Sequence, residues 1–95
     1  MNYECHITVD TPEDQDRFDR LVQFADEWGW KSSWIERDPL LGDKQFFYFT
    51  RHSNNFKEIE REMDLTANVL DRVGYPVLRK KIEMIVFDTK KDLLS

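Results

Sequence analysis

Residues 3–10, YECHITVD, alternate strictly, with Tyr3, Cys5, Ile7 and Val9 on one side and Glu4, His6 and Thr8 on the other. A period of two with β-branched residues predicts a strand. The period then changes. Phe18, Leu21, Val22, Ala25 and Trp28 recur at helical spacing, which predicts a helix over residues 12–28 with one apolar stripe. Thr11 is the expected N-cap, Pro12 the first helical residue, and Asp14 stands at the capping-box position. Gly29 supplies a left-handed residue to end the helix. WKSSWIER (30–37) and QFFYFTRH (45–52) are rich in aromatic residues and are expected to be strands. DPLLGDK between them holds Pro39, Gly42 and Asp43, which favour a turn. A second helix is expected over 55–73, capped by Asn55 with Glu58 and striped by Ile59, Met63, Thr66, Leu70 and Val73. Gly74 ends it and Pro76 prevents its resumption. Residues 77–87 form a last strand, with Arg79, Lys81 and Glu83 on one side and Leu78, Ile82 and Met84 on the other.

The order βαββαβ predicts an α+β, ferredoxin-like sandwich. Right-handed crossovers give strand order 4-1-3-2 in an antiparallel sheet with both helices on one face. Residues 1–88 make one domain and 89–95 a charged tail. The first and last strands become neighbours. Cys5, Ile7, Val9, Ile82, Met84 and Val86 then face the helices, while Glu4, His6, Thr8, Arg79, Lys81 and Glu83 share the open face. In the hairpin, Ile35, Phe47 and Phe49 are expected inward. Trp34, Phe46, Tyr48, Thr50 and His52 are expected on the open face, joined by Ile85 and Phe87 as an aromatic platform. An apolar patch of that kind calls for a ligand, a partner, a second copy or the tail to cover it.

Ninety-five residues with 40% apolar and 35% charged content fit one globular domain. The single cysteine, Cys5, excludes an internal disulfide and suggests a reducing, cytoplasmic setting. No signal peptide and no membrane-length apolar run is visible. A net charge of −5 argues against nucleic-acid binding, which needs clustered cations. The basic residues are local instead: Arg79, Lys80 and Lys81, then Lys90 and Lys91. A local basic patch on an acidic protein suits a small anion.

His6 and Thr8 are therefore the candidate catalytic residues. Imidazole titrates near neutrality and can move protons or contact phosphate. Arg79, Lys81, Glu83, Glu4, Trp34, Tyr48 and His52 are the candidate ligand-binding residues. The plainer alternative is a cross-strand ladder of salt bridges, each worth roughly 0.2–1 kcal/mol. The spacing of His6, His52 and Cys5 matches no metal site, and the glycines all have cap or turn roles, so no metal or cofactor is expected. Leu40 and Leu41 mark a possible contact point at the loop tip.

With ECHITVD at one end and GYPVLRKKIEMIVFD at the other, the chain resembles a group of small bacterial proteins that share these two strands. That likeness singles out His6, Arg79, Lys81, Glu83 and Asp88 and brings no reaction with it. His6-Ile7-Thr8 is also similar to the His-x-Thr strand motif of the 2H phosphoesterases. In that family two such motifs face each other; the histidine acts as general acid or base on a phosphodiester and the threonine binds phosphate. This chain has one such motif and about half the length, and RHSNNF at 51–56 is a poor second copy.

The function expected from these features is a small binding module whose open sheet face takes a phosphate-bearing ligand or a protein partner. A phosphoesterase-like enzyme using His6 and Thr8 is the alternative. An inhibitor of the phage type, acting by protein contact, and a homodimer joined through the open faces remain open.

Overall fold

A computed structural model describes residues 1–35 and 46–85, with the side chain of Ile35 outside that description. The expectations for the Leu40–Leu41 tip, Val86, Phe87, Asp88 and the 89–95 tail lie outside the described residues, as does the inward expectation for the Ile35 side chain. The elements run β1 (Asn2–Asp10), α1 (Gln15–Glu27), β2 (Lys31–Ile35), β3 (Phe46–Ser53), α2 (Phe56–Arg72) and β4 (Val77–Ile85). The four strands form one sheet in the order β2-β3-β1-β4, every neighbouring pair antiparallel. This is the ferredoxin-like arrangement that the βαββαβ order predicts.

The core lies between one sheet face and the two helices. Cys5, Ile7, Val9, Phe47 and Phe49 are fully buried against Leu21 and Ala25 of α1 and Ile59, Ala67 and Leu70 of α2. Phe47 and Phe49 are its largest fully buried side chains, and Phe18 meets Phe47 edge-on. The alternation of β1 thus holds throughout, since each residue of one parity lands on the helix side.

α2 starts where its sequence indicates, with the Asn55 side chain accepting from the Glu58 N–H at 3.1 Å. α1 starts later than expected. Its N-cap is Asp14, whose carboxylate accepts from the Asp16 N–H at 3.0 Å, while the Thr11 hydroxyl is buried without a partner. Residues 11–14 instead lead from β1 into the helix, and a carboxylate at the N-terminus adds a favourable dipole interaction that threonine lacks.

The two halves of the chain end their helices in the same way. Gly29 and Gly74 hold φ of 78° and 88°, and the next residues donate back into the helix, Trp30 N–H to Ala25 and Tyr75 N–H to Leu70, each at 2.8 Å. An arginine from the other half closes each end. Arg51 of β3 donates to the Trp28 carbonyl at 3.4 Å, lies over the Trp30 ring and pairs with Glu62 at 3.1 Å. Arg17 of α1 donates to the Gly74 carbonyl at 2.7 Å and lies over the Tyr75 ring. Both guanidinium groups thus satisfy carbonyls that a helix end leaves without partners.

Two strand expectations are corrected. Trp34 lies on the helix side, stacked along Phe47 and edge-on to Phe18 of α1. β2 begins after the buried Trp30, so Trp30, Ser32 and Trp34 share the inner parity, and Lys31 and Ser33 take the open face. In β4 the pairing shifts between Val9↔Val77 and Thr8↔Arg79, leaving Leu78 as the extra residue of a bulge and exposed. Beyond the bulge Lys80 occupies a helix-side position and pairs with Asp64 of α2 at 3.0 Å. Met84, on the same parity, and Val73, at the C-cap of α2, are both exposed rather than packed.

Candidate functional site

Strand register assembles the open face in rows that cross the sheet. One row runs Lys31, Thr50, His6, Lys81 from β2 to β4, and the next runs Ser33, Tyr48, Thr8, Arg79. A third, shorter row sets Glu4 between His52 and Glu83. Adjacent strands stand about 4.8 Å apart, so neighbours in a row are within side-chain contact. Thr50, His6 and Lys81 of the first row and all four residues of the second, together with Glu83, line an open cavity of about 310 Å³.

The hydrogen bonds within this face are specific. His6 Nε2 lies 2.8 Å from the Glu4 carboxylate, and His6 Nδ1 lies 3.0 Å from the Thr50 hydroxyl. An ionised Glu4 accepts only, so Nε2 carries the hydrogen. In the neutral ring Nδ1 is then the acceptor for the Thr50 hydroxyl. The other Glu4 oxygen reaches His52 Nε2 at 3.4 Å. Glu4 is therefore held by two imidazoles and not by the cations of β4.

Those cations differ from each other. Lys81 pairs with Glu83, and this contact holds the Glu83 carboxyl below its ordinary range, first through the hydrogen bond from Lys81 and then through its charge. Arg79 forms no salt bridge among the described residues. The ladder expected as the plain alternative is thus half formed. It takes Lys81 and leaves Arg79 beside Thr8, Ser33 and Tyr48.

Of the residues singled out by sequence, His6, Thr8, Arg79, Lys81, Glu83 and Tyr48 come together at the cavity. Glu4 adjoins it through His6, and His52 through Glu4. Trp34 does not belong to it, because its ring packs on the helix side. With Trp34 gone and Phe87 outside the described residues, the aromatic platform shrinks to Phe46 and Tyr48, both half-buried, and the exposed Ile85. Ser33 and Thr50 are the site residues that sequence reasoning missed. Thr50 was expected on this face but without a role; its signal was its parity with Tyr48 and its position opposite His6, which only the β1–β3 register reveals.

Cys5 is fully buried, and burial pushes its thiol up to about 12. A protonated, enclosed thiol is neither a nucleophile nor a ready ligand. Among the described residues no group of three or more His, Cys, Asp or Glu side chains is arranged to hold a metal ion, and no helix is long and apolar enough to cross a membrane. No family model matches the chain, and no curated protein matches it.

Proposed function

We propose that the open sheet face binds a small phosphate-bearing ligand, with Arg79 as the principal cation, Lys81 as the second, and the hydroxyls of Thr8, Ser33 and Tyr48 as neutral partners. One observation carries this reading. The register sets Arg79 and Lys81 at successive open-face positions of β4, beside a cavity whose other lining groups are hydroxyls, an imidazole and the Glu83 carboxylate. A guanidinium presents a planar fork of donors that fits phosphate oxygens, and hydroxyls adjust by rotation.

The reading also agrees with the charge balance of the face. Glu4 is hydrogen-bonded by His6 and His52 and not by Arg79 or Lys81, so of the two carboxylates on this face only Glu83 is paired with a cation of β4. A long polyanion fits less well, because the protein carries a net charge of −5. A cavity of about 310 Å³ suits a mononucleotide or a sugar phosphate in size.

The test is an NMR titration with inorganic phosphate and then with mono- and cyclic nucleotides. Shifts confined to the His6 ring and to the amides of Thr8, Arg79 and Lys81, lost in Arg79→Ala, are the expected result. The absence of shifts at millimolar ligand refutes the reading and leaves the face a structural ladder.

A further inference from the structure

The chain of contacts through His6 has a consequence beyond binding. Glu4 Oε1, His6 Nε2, His6 Nδ1 and Thr50 Oγ1 form a continuous line, with contacts of 2.8 and 3.0 Å. The line starts at a carboxylate, passes through an imidazole and ends at a hydroxyl in the wall of the cavity. A nucleophile within hydrogen-bond reach of a base, with that base oriented by a third group, is the general arrangement of an activated hydroxyl.

We infer that Thr50 is a nucleophile toward a phosphomonoester bound at Arg79 and Lys81, with His6 as its base and Glu4 as the positioning residue that fixes the histidine tautomer. This rests on the anion-binding reading of the same cavity. Three observations select Thr50 over Thr8. His6 has both ring nitrogens engaged, and among the described residues the hydroxyl that its basic nitrogen meets is that of Thr50. Thr8 follows His6 by two residues on β1 and pairs across the sheet with Tyr48 and Arg79 instead. Finally, Thr50 and Lys81 flank His6 in one row and both line the same cavity, so a phosphoryl group held there meets the hydroxyl and the cation together.

The Thr50 oxygen forms a bond to phosphorus while the bond from phosphorus to the alcohol oxygen breaks on the opposite side. The hydroxyl proton passes to His6 Nδ1, and Glu4 stabilises the imidazolium that forms. The departing alkoxide takes its proton from solvent water and leaves hydroxide. Water then attacks the phosphothreonine from the side the alcohol left, and the imidazolium returns its proton to the Thr50 oxygen as that bond to phosphorus breaks. The hydroxide neutralises the proton that the attacking water releases, so the products are the alcohol and orthophosphate and water is the only co-reactant.

The experiment uses p-nitrophenyl phosphate with the full chain, acid quenching and peptide mass mapping, beside the phosphate titration of the same protein. Phosphothreonine at position 50 is expected in the wild type and in Glu4→Asp. Its rate of formation is expected to fall about 100-fold in His6→Ala, in line with the loss of a general base. Thr50→Val abolishes label at that position, and Thr50→Ser restores a label there. Phosphate shifts in the wild type without phosphothreonine overturn this inference and leave the binding reading intact. Label that forms equally fast in His6→Ala also overturns it. No phosphate shifts at all overturn both.

Discussion

Glu4 lies directly opposite His52 across the β1–β3 pair, yet its shorter contact is to His6, two residues along its own strand, at 2.8 Å against 3.4 Å. Residues two apart on a strand share a face, so this contact needs no register to bring it about. It sets the tautomer of His6, and through it the role of Nδ1 toward Thr50. In the neutral ring the hydrogen is expected on Nε2. Ring ¹⁵N shifts measured above the titration of His6 check this. Glu4→Gln is expected to mix the two tautomers, because an amide can donate as well as accept. A ring that keeps the Nε2–H form unchanged in Glu4→Gln shows that Thr50, not Glu4, sets it.

The start of α1 gives a second prediction. Asp14 caps the helix through the Asp16 N–H, while Thr11 buries a hydroxyl with no partner. Asp14→Ala is expected to destabilise the protein by about 1 kcal/mol. Thr11→Val removes an unpaired buried polar group at nearly constant shape and is expected to be neutral or stabilising. Urea unfolding of the two variants distinguishes this from the sequence expectation, which assigns the larger loss to Thr11.

These two sites show what the chain makes legible and what it does not. β1, α2 and the helix ends at Gly29 and Gly74 follow from local rules, namely alternation, an Asn55 cap and left-handed glycines. His6, Thr8, Arg79 and Lys81 could be placed together because β1 alternates cleanly, Arg79 and Lys81 stand two apart beyond the bulge, and a βαββαβ order makes those strands neighbours. The side of Trp34 was not legible from WKSSWIER alone, where either parity offers an apolar set. Trp30 holds the answer. It follows Gly29 as Tyr75 follows Gly74, both are buried, and Trp34 shares the parity of Trp30. The bulge at Leu78 has no sequence signal beyond its closeness to Pro76, since a bulge adds a residue without altering composition. Thr50 escaped notice because its importance comes from a partner 44 residues away.

The arginines that close the helices should differ in weight. Arg51 is half-buried and joins the Trp28 carbonyl, the Trp30 ring and Glu62, while Arg17 is exposed and joins Gly74 and Tyr75. Arg51→Ala is expected to cost roughly 1–3 kcal/mol through lost charged hydrogen bonds and ring packing. Arg17→Ala is expected to cost less, about 1 kcal/mol or below. For a domain of this size each kcal/mol lowers Tm by roughly 4–8 °C, so calorimetry of the two variants separates them. Equal losses would contradict the burial difference.

Cys5 predicts behaviour in alkali. Its thiol is pushed from the ordinary value of 9.0 up to about 12 in the folded protein, chiefly by burial and then by the charge of Asp64. Below pH 9 the thiol is protonated in both folded and unfolded chains, and its contribution is fully present. Above pH 9 the unfolded chain loses the proton while the folded one keeps it, so stability falls as pH rises from about 9 toward 12. Cys5→Ala is expected to flatten the fall between these limits, as read by denaturant midpoints against pH. The native thiol is also expected to resist a disulfide reagent that labels the unfolded chain at once. Rapid native labelling at neutral pH would show that Cys5 is accessible.

Glu83 bears most directly on the anion site. It pairs with Lys81 in the lining of the cavity and is held below the ordinary carboxylate range by that lysine. The carboxylate therefore neutralises one of the two cations available to a phosphate, and it repels the phosphate as well. Glu83→Gln keeps the size and removes the charge. Removing this exposed like charge is expected to raise phosphate affinity by about a few-fold, since solvent screens it. The gain should shrink as salt is added, because the site is open and screened. The same logic fixes a pH dependence. A depressed carboxyl pKa contributes stability above the unfolded value that is lost as pH falls through the folded one, so the Lys81–Glu83 pair is at full strength at neutral pH and weakens only in acid. Titrating wild type and Glu83→Gln with sulfate, which stays a dianion across that range, separates the protein's titration from the ligand's. The wild-type affinity should rise toward that of the variant as acid protonates Glu83. Affinities that stay apart in acid, or a variant that binds no better at neutral pH, would mean that Lys81 takes no part in holding the anion.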